Sequence, residues 1–206
     1  MATTTDASVA VRDTDEPPMI LNLRPIIDLN DDELYELCRV NRDLRVERSA
    51  RGELELMPPT GGETSDRNAE ITTQLRLWAK TDATGTSFDS SGGFLLPNGA
   101  VRSPDAAWIR KSRLADLSQE QKRKFIRLCP DFVAELRSPT DSLSTLQKKM
   151  LEYLDNGARL GWLIDPIERR IFIYRPGETV QEARDLVMIA GDPVLPGFVL
   201  DLREVW

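Results

Sequence analysis

The sequence predicts an α/β protein in which a mixed β-sheet is flanked by α-helices. Two helical stripes carry that prediction: Ile71, Leu75 and Trp78 recur at spacings of four and three, and Leu143, Leu146, Met150, Leu151 and Leu154 make a second apolar face. Short alternating or continuous apolar runs, bounded by Pro, Gly and Asn, lie between and after them and read as strands. Helices and strands interleave with no internal repeat, which is the order of a sheet covered on both faces.

The elements follow in chain order. Residues 1–18 are small, polar and end in Pro17-Pro18, so a disordered tail is expected ahead of a single domain over 19–206. Asn30-Asp31-Asp32 then stands before Glu33-Leu34-Tyr35-Glu36-Leu37-Cys38 as the N-cap region of a short helix. Leu44, Val46, Leu54 and Leu56 alternate with charged residues around Arg51-Gly52, the pattern of a β-hairpin. Pro58-Pro59-Thr60-Gly61-Gly62 is a loop, and Thr64, Ser65 or Asp66 caps a helix reaching about Lys80. Strands are expected near 87–90 and 93–96, with Asn98-Gly99 as a hairpin turn. Asp105 begins the strand that Ala106–Ile109 continues. The run from Asp131 to Leu136 is almost continuously apolar and so central in the sheet. Asp141-Ser142 caps the second long helix, and Gly157 ends it. Leu160–Ile164 and Arg170–Tyr174 then form a hairpin across Asp165-Pro166-Ile167-Glu168. Taken together, these strands predict one sheet with a helix on each side.

Composition narrows the chemistry. The chain of 206 residues has ordinary hydrophobic (40%) and charged (30%) content for a soluble domain, with no apolar run near the roughly 18 residues of a membrane span. Its start carries neither basic residues nor an apolar stretch, so a cytoplasmic protein is expected. Histidine is absent, which removes Ser-His-Asp and Cys-His nucleophile arrangements. Cys38 and Cys129 are too far apart for a CxxC pair and read as reduced structural thiols. Catalysis would then rest on carboxylates, lysines, arginines or hydroxyls, a donor set that favours an oxygen-ligated metal such as Mg2+. The net charge of −7 opposes polyanion binding, but Arg110, Lys111, Arg113, Lys122, Arg123, Lys124 and Arg127 form a local basic stretch. It reads equally as a nucleic-acid patch or as a solvated helix.

One constellation stands out. Asp105 opens a strand, while Glu135 and Arg137 lie two apart on the next and share a face, leaving Leu136 for the core. Two acids from neighbouring strands can share a hard cation, and an adjacent base can face a phosphate. Each residue also has a plainer reading: Asp105 as a turn cap, Glu135 in a structural ion pair, Trp108 and Trp162 as core residues rather than base-stacking platforms.

The ordered series Arg102-Ser103-Pro104-Asp105-Ala106, Pro130 through Asp141, Lys149-Met150-Leu151-Glu152-Tyr153, Gly161 through Pro166 and Leu195-Pro196-Gly197-Phe198 resembles the Uma restriction-endonuclease family of the PD-(D/E)XK nuclease superfamily. The resemblance runs from about Leu29 to Asp201. It implies a restriction-endonuclease-like core and a Mg2+-dependent endonuclease acting on DNA, with RNA as a second substrate class and Mn2+ as a substitute ion. It implies Asp105 and Glu135 as metal ligands, Glu70 on the first core helix as a further acid, and Lys149 facing the same cleft, with Lys148 as the fallback. Arg137 stands where the motif has lysine. Arginine grips phosphate well but does not give up its proton, so Arg137 is expected to stabilise the phosphate while Lys149 takes the water-positioning or proton role. The alternative is a module that keeps the fold and binds nucleic acid or protein without turnover. Double-strand cutting needs two sites, which makes a homodimer the expected assembly.

Overall fold

The computed structural model describes residues 19–206; the expected tail lies outside the described residues. Strand β1 (Met19–Leu21) precedes helix α1 (Asp31–Val40), which starts as its sequence requires. The Asn30 side chain accepts hydrogen bonds from the Asp32 and Glu33 amides at 3.0 Å each, and the Glu33 carboxylate accepts from the Asn30 amide at 2.9 Å. This reciprocal capping satisfies amides that the first turn otherwise leaves unpaired. Strands β2 (Arg45–Arg48) and β3 (Leu54–Met57) form the expected antiparallel hairpin.

Helix α2 (Gly62–Asp82) begins two residues before Thr64, with Gly61 at its N-cap and no side-chain cap. Thr64 is buried, so it serves the inner face of the helix instead of its end. Strands β4 (Gly85–Asp89), β5 (Phe94–Leu95), β6 (Val101–Arg102) and β7 (Ala106–Arg110) follow. The Asn98-Gly99 turn joins β5 to β6 as an antiparallel pair, and Gly99 takes the positive φ of 86° that this turn needs. Two five-residue helices, α3 (Lys111–Ala115) and α4 (Gln119–Arg123), lead to β8 (Phe132–Leu136). Helix α5 (Leu143–Asp155) has Ser142 at its N-cap. The Asp141 carboxylate instead accepts from the Ser138 amide at 2.8 Å, closing the preceding turn. Strands β9 (Leu160–Asp165), β10 (Arg170–Tyr174), β11 (Gln181–Arg184), β12 (Met188–Ala190) and β13 (Val199–Asp201) complete the chain.

The strands form a six-stranded sheet in the order β11-β10-β9-β8-β7-β4, a five-stranded sheet β1-β3-β2-β6-β5, and the pair β12-β13. In the six-stranded sheet β8 and β9 run parallel and the other neighbours antiparallel, so the sheet is mixed. The single sheet read from the sequence is thus divided. The β5–β6 hairpin pairs with β2 through Arg48 and Val101 and does not extend the central sheet. Successive residues of β7 and β8 alternate between two cores. Ala106, Trp108, Phe132, Ala134 and Leu136 pack with Ile71, Leu75 and Ala79 of α2. Ala107, Ile109 and Val133 pack with Met150 and Tyr153 of α5. The helices therefore cover opposite faces, and β8 is buried along its whole length. Two glycines permit the close approach: a Cβ on Gly85 would fall 2.1 Å from the Trp108 indole, and one on Gly161 would fall 2.5 Å from the Met150 methyl.

The basic stretch is more locally engaged than its composition implies. Arg113 pairs with Asp131 at 3.0 Å, Lys124 with Asp32 at 2.9 Å and Arg127 with Asp31 at 3.2 Å. It also follows the C-terminal end of β7, whereas Asp105 precedes the N-terminal end. Five strand residues, about 16 Å at 3.3 Å each, separate the two ends.

Candidate metal-dependent active site

The antiparallel register pairs Ala106 with Ala134. Continued by one residue, it sets Asp105 opposite Glu135 on the face covered by α5. Asp105 is fixed by backbone: its Oδ2 accepts from the Leu136 amide at 2.9 Å, while Oδ1 accepts from Arg45 Nη1 at 3.3 Å. Glu135 is 3% exposed. Two donors from α5 converge on its Oε1, Lys149 Nζ at 2.9 Å and the Tyr153 hydroxyl at 2.8 Å. These donors are four residues apart and so share one helix face. Among the described residues, no hydrogen bond reaches the second Glu135 oxygen.

The site contains an acid that the sequence reading missed. Glu47 of β2 is 1% exposed. Its Oε1 accepts from Lys149 Nζ at 3.0 Å and from the Ser103 amide at 2.9 Å, and its Oε2 accepts from Arg102 Nη1 at 3.2 Å. Arg102 also grips Glu55 and Glu152, each at 2.6 Å, tying β6 to β3 and to α5. Arg45 completes the group: it donates to the Ser103 carbonyl, and its buried Nε has no hydrogen-bond partner among the described residues. In sequence Glu47 resembles the charged outer residues of any hairpin. Only the β2–β6 pairing reveals that the five-stranded sheet closes over the α5 face.

Burial drives the electrostatics. It pushes the Glu135 carboxyl up to about 7, Asp105 and Glu47 push the same way, and Lys149 and Arg45 oppose them. Burial also acts to raise Glu47, but Lys149, Arg102 and Arg45 together outweigh it and hold that carboxyl below its ordinary value. Burial acts to lower Lys149, and Glu135 and Glu47 more than reverse it, so the ammonium keeps its proton. The Tyr153 phenol is raised well above its usual value, first by burial and then by Glu135. The group near its titration point at neutrality is therefore Glu135.

Two of the expected site residues lie apart from this cluster. Arg137 follows β8, and its guanidinium reaches the fully buried Asp165, Nη1 to Oδ2 at 3.4 Å, and donates from Nε to the Asp141 carbonyl at 3.1 Å. Glu70 sits on α2, which covers the opposite face of the sheet, and accepts from Gln74 at 2.9 Å. No hydrogen bond or ion pair joins Glu70 to Asp105 or Glu135 among the described residues. Asp105, Glu135 and Lys149 are brought together. Trp108 and Trp162 are fully buried core residues.

Asp105 and Glu135 supply the hard oxygen donors that a divalent cation prefers. Among the described residues, no three acid, histidine or cysteine side chains converge as a preformed metal cage. The ammonium of Lys149 and the guanidinium of Arg45 neutralise the acids instead. The donor chemistry fits a hard cation that displaces part of this neutralisation.

A mixed sheet covered on its two faces by helices is the restriction-endonuclease-like fold. The Uma2 family model, described as "Putative restriction endonuclease", matches residues 31–203, and the chain belongs to that family. Among solved structures it is similar to one described as a putative nuclease belonging to DUF820 from Anabaena variabilis ATCC 29413. The two share 21% identity over 78% of this chain and 88% of the other, with a TM-score of 0.66. No curated protein matches the chain. Among the described residues, no helix is long and apolar enough to cross a membrane.

Proposed function

We propose that this protein is a divalent-metal-dependent endonuclease that hydrolyses DNA phosphodiester bonds, with Mg2+ as the ion and Mn2+ as a substitute. The observation that carries this reading is the meeting of Lys149 and Glu135 at 2.9 Å beside Asp105. A lysine from α5 would then take the role that the motif gives to the strand position occupied here by Arg137. Asp105 and Glu135 would hold the ion, which lowers the pKa of bound water and offsets charge on the phosphate. Lys149 would hold the attacking water or the phosphate oxygen beside it; its three ammonium hydrogens can serve both carboxylates and a third acceptor. As water adds to phosphorus it would give up a proton to solvent, the P–O bond to the leaving oxygen would break, and that oxygen would take a proton from solvent in return. Arg137 would stay with Asp165 and Glu70 with α2, both supporting the frame.

Charge balance favours the same reading. Among the described residues, Glu47, Glu55, Asp105, Glu135 and Glu152 face Arg45, Arg102 and Lys149, five acids against three bases. Burial first, and then Asp105 and Glu47, raise the Glu135 carboxyl, and a divalent ion beside it would act the opposite way. The lysine on α5 also favours turnover over a site that only binds, because it would supply the function lost with Arg137. Cutting both strands needs two sites, so the active species is expected to be a homodimer.

The test is cleavage of plasmid DNA by purified protein with Mg2+, Mn2+ or EDTA, with an RNA duplex in parallel. Metal-dependent nicking that disappears in Asp105→Ala and in Glu135→Ala is the expected result. Cleavage that persists in both variants, or in EDTA, refutes the assignment. Cleavage confined to RNA moves the substrate class and leaves the site in place.

A further inference from the structure

We infer that Glu47 is a positioning residue for Lys149 and not a ligand of the metal, so that the five-stranded sheet sets the aim of the ammonium. The inference rests on the nuclease reading of the site and assigns work within it. Its basis is how differently the buried acids are saturated. Both oxygens of Glu47 are already engaged, Oε1 by Lys149 and the Ser103 amide and Oε2 by Arg102. A carboxylate offers about four lone-pair positions. On Glu47 three are taken and neither oxygen is left clear, so an ion would have to share an oxygen with a donor already seated there, and displacing that donor is costly in a buried setting. Glu135 differs: its donors crowd onto Oε1, leaving the other oxygen without a hydrogen bond among the described residues.

Lys149 therefore has two carboxylate partners with different duties. Glu135 can pass to an incoming cation, whose positive charge would then repel the neighbouring ammonium. Glu47 remains as the anchor that keeps Lys149 beside the site. The anchor is itself braced: Arg102 links Glu47 to Glu55 of β3 and Glu152 of α5, and the Ser103 amide that binds Glu47 lies two residues before Asp105. One carboxylate thus ties the ammonium to the strand entry carrying the metal-binding acid.

Three measurements on the full chain test this. Mn2+ binding, followed by electron paramagnetic resonance of free Mn2+, should weaken less than about threefold in Glu47→Gln and be abolished in Glu135→Ala. Under saturating metal, kcat of Glu47→Gln should fall by about a hundredfold, the usual cost of a misplaced reacting group, with KM for DNA nearly unchanged. The double variant Glu47→Gln/Lys149→Met, which removes both buried charges together, should match Lys149→Met alone in Mn2+ affinity and in kcat. That comparison survives if Glu47→Gln by itself fails to fold. Loss of Mn2+ binding in Glu47→Gln equal to that in Glu135→Ala would make Glu47 a ligand and overturn the inference, as would multiplicative losses in the double variant.

A third readout separates this inference from the nuclease reading. In protein carrying 15N-lysine, the slowly exchanging ammonium signal that disappears in Lys149→Met identifies Lys149. It should broaden or vanish in Glu47→Gln, whether or not the wild type cuts DNA. If that signal is unchanged by Glu47→Gln, Glu47 does not position Lys149. If the signal responds but wild-type protein neither binds Mn2+ nor cuts, the nuclease reading fails while the positioning stands.

Discussion

Replacing Lys149 with methionine isolates the charge problem at the centre of this fold, because the side chain keeps its bulk and loses its ammonium. The wild-type Glu135 carboxyl, at about 7 against an ordinary 4.5, binds more protons when folded than when unfolded between those values. Folding stability linked to Glu135 therefore falls as pH rises through that window and levels off above it, where both states are ionised. Without Lys149 the opposing pull on Glu135 is gone and the window extends upward. The variant then continues to lose stability above pH 7, by at most about 1.4 kcal/mol per pH unit, while the Glu135 contribution in wild type levels off. Below about pH 6.5, Glu135 is mostly protonated in both proteins and drops out of the comparison. What remains there is the lost contact to Glu47, about 1–3 kcal/mol for a hydrogen bond to a charged group. Urea unfolding followed by circular dichroism at pH 6, 7, 8 and 9 measures the difference directly. The gap between the proteins should widen as pH rises from 7 to 9, by at most about 1.4 kcal/mol per pH unit. A gap that is constant across this range, or that narrows as pH rises, refutes the claim that Lys149 holds down the Glu135 carboxyl.

Two further outcomes test the surrounding frame. Arg137→Met should destabilise the protein by about 2 kcal/mol, because buried Asp165 loses one charged donor and keeps Arg170 at 3.0 Å; Mn2+ affinity should stay within twofold, and a loss comparable to that in Glu135→Ala would return Arg137 to the metal site. Gly85→Ala should lower stability by about 3 kcal/mol in urea titration, since its Cβ would lie 2.1 Å from the buried Trp108 indole; a neutral result would mean that α2 and β4 shift to make room.

Many of the individual elements were legible because their local signals agree. The Asn30 cap, the Arg51-Gly52 and Asn98-Gly99 turns and the hairpin at Asp165 each state their conformation within a few residues. The two long helices carry their inner faces as stripes, and the apolar run of β8 marks a strand covered on both sides. Sheet membership is a different kind of information. Whether β6 joins β7 or β2 depends on the single Arg48–Val101 pairing, which brings together parts of the chain about fifty residues apart. The three exposed residues of β1, the two-residue strands β5 and β6, and the polar β11 offer too little periodicity to announce themselves. The basic stretch stayed open between two readings for a related reason: composition counts charges but omits the Asp31, Asp32 and Asp131 that pair with three of them.

The site divides along the same line. Asp105, Glu135 and Lys149 were readable because each sits on an element with a strong signal of its own, and strand alternation then sets both acids on the α5 face. Alternation also puts Arg137 on that face, but direction is not contact. Arg137 stands one residue past the end of β8, where Asp165 of the parallel neighbour β9 is the nearer carboxylate. Glu47 was invisible for the opposite reason: its own strand offers no reason to bury it. Its burial becomes intelligible only through the charges around it. A lysine drawn from α5 into a pocket with Glu135 alone would pair with an acid that titrates near neutrality. Lys149 remains charged there because Glu135 and a second carboxylate act on it together, the second being Glu47 on the other sheet, itself held below its ordinary value by Lys149, Arg102 and Arg45. The five-stranded sheet is thus an electrostatic part of the site, and a core without it would keep Asp105 and Glu135 yet lack the anchor that fixes the lysine between them.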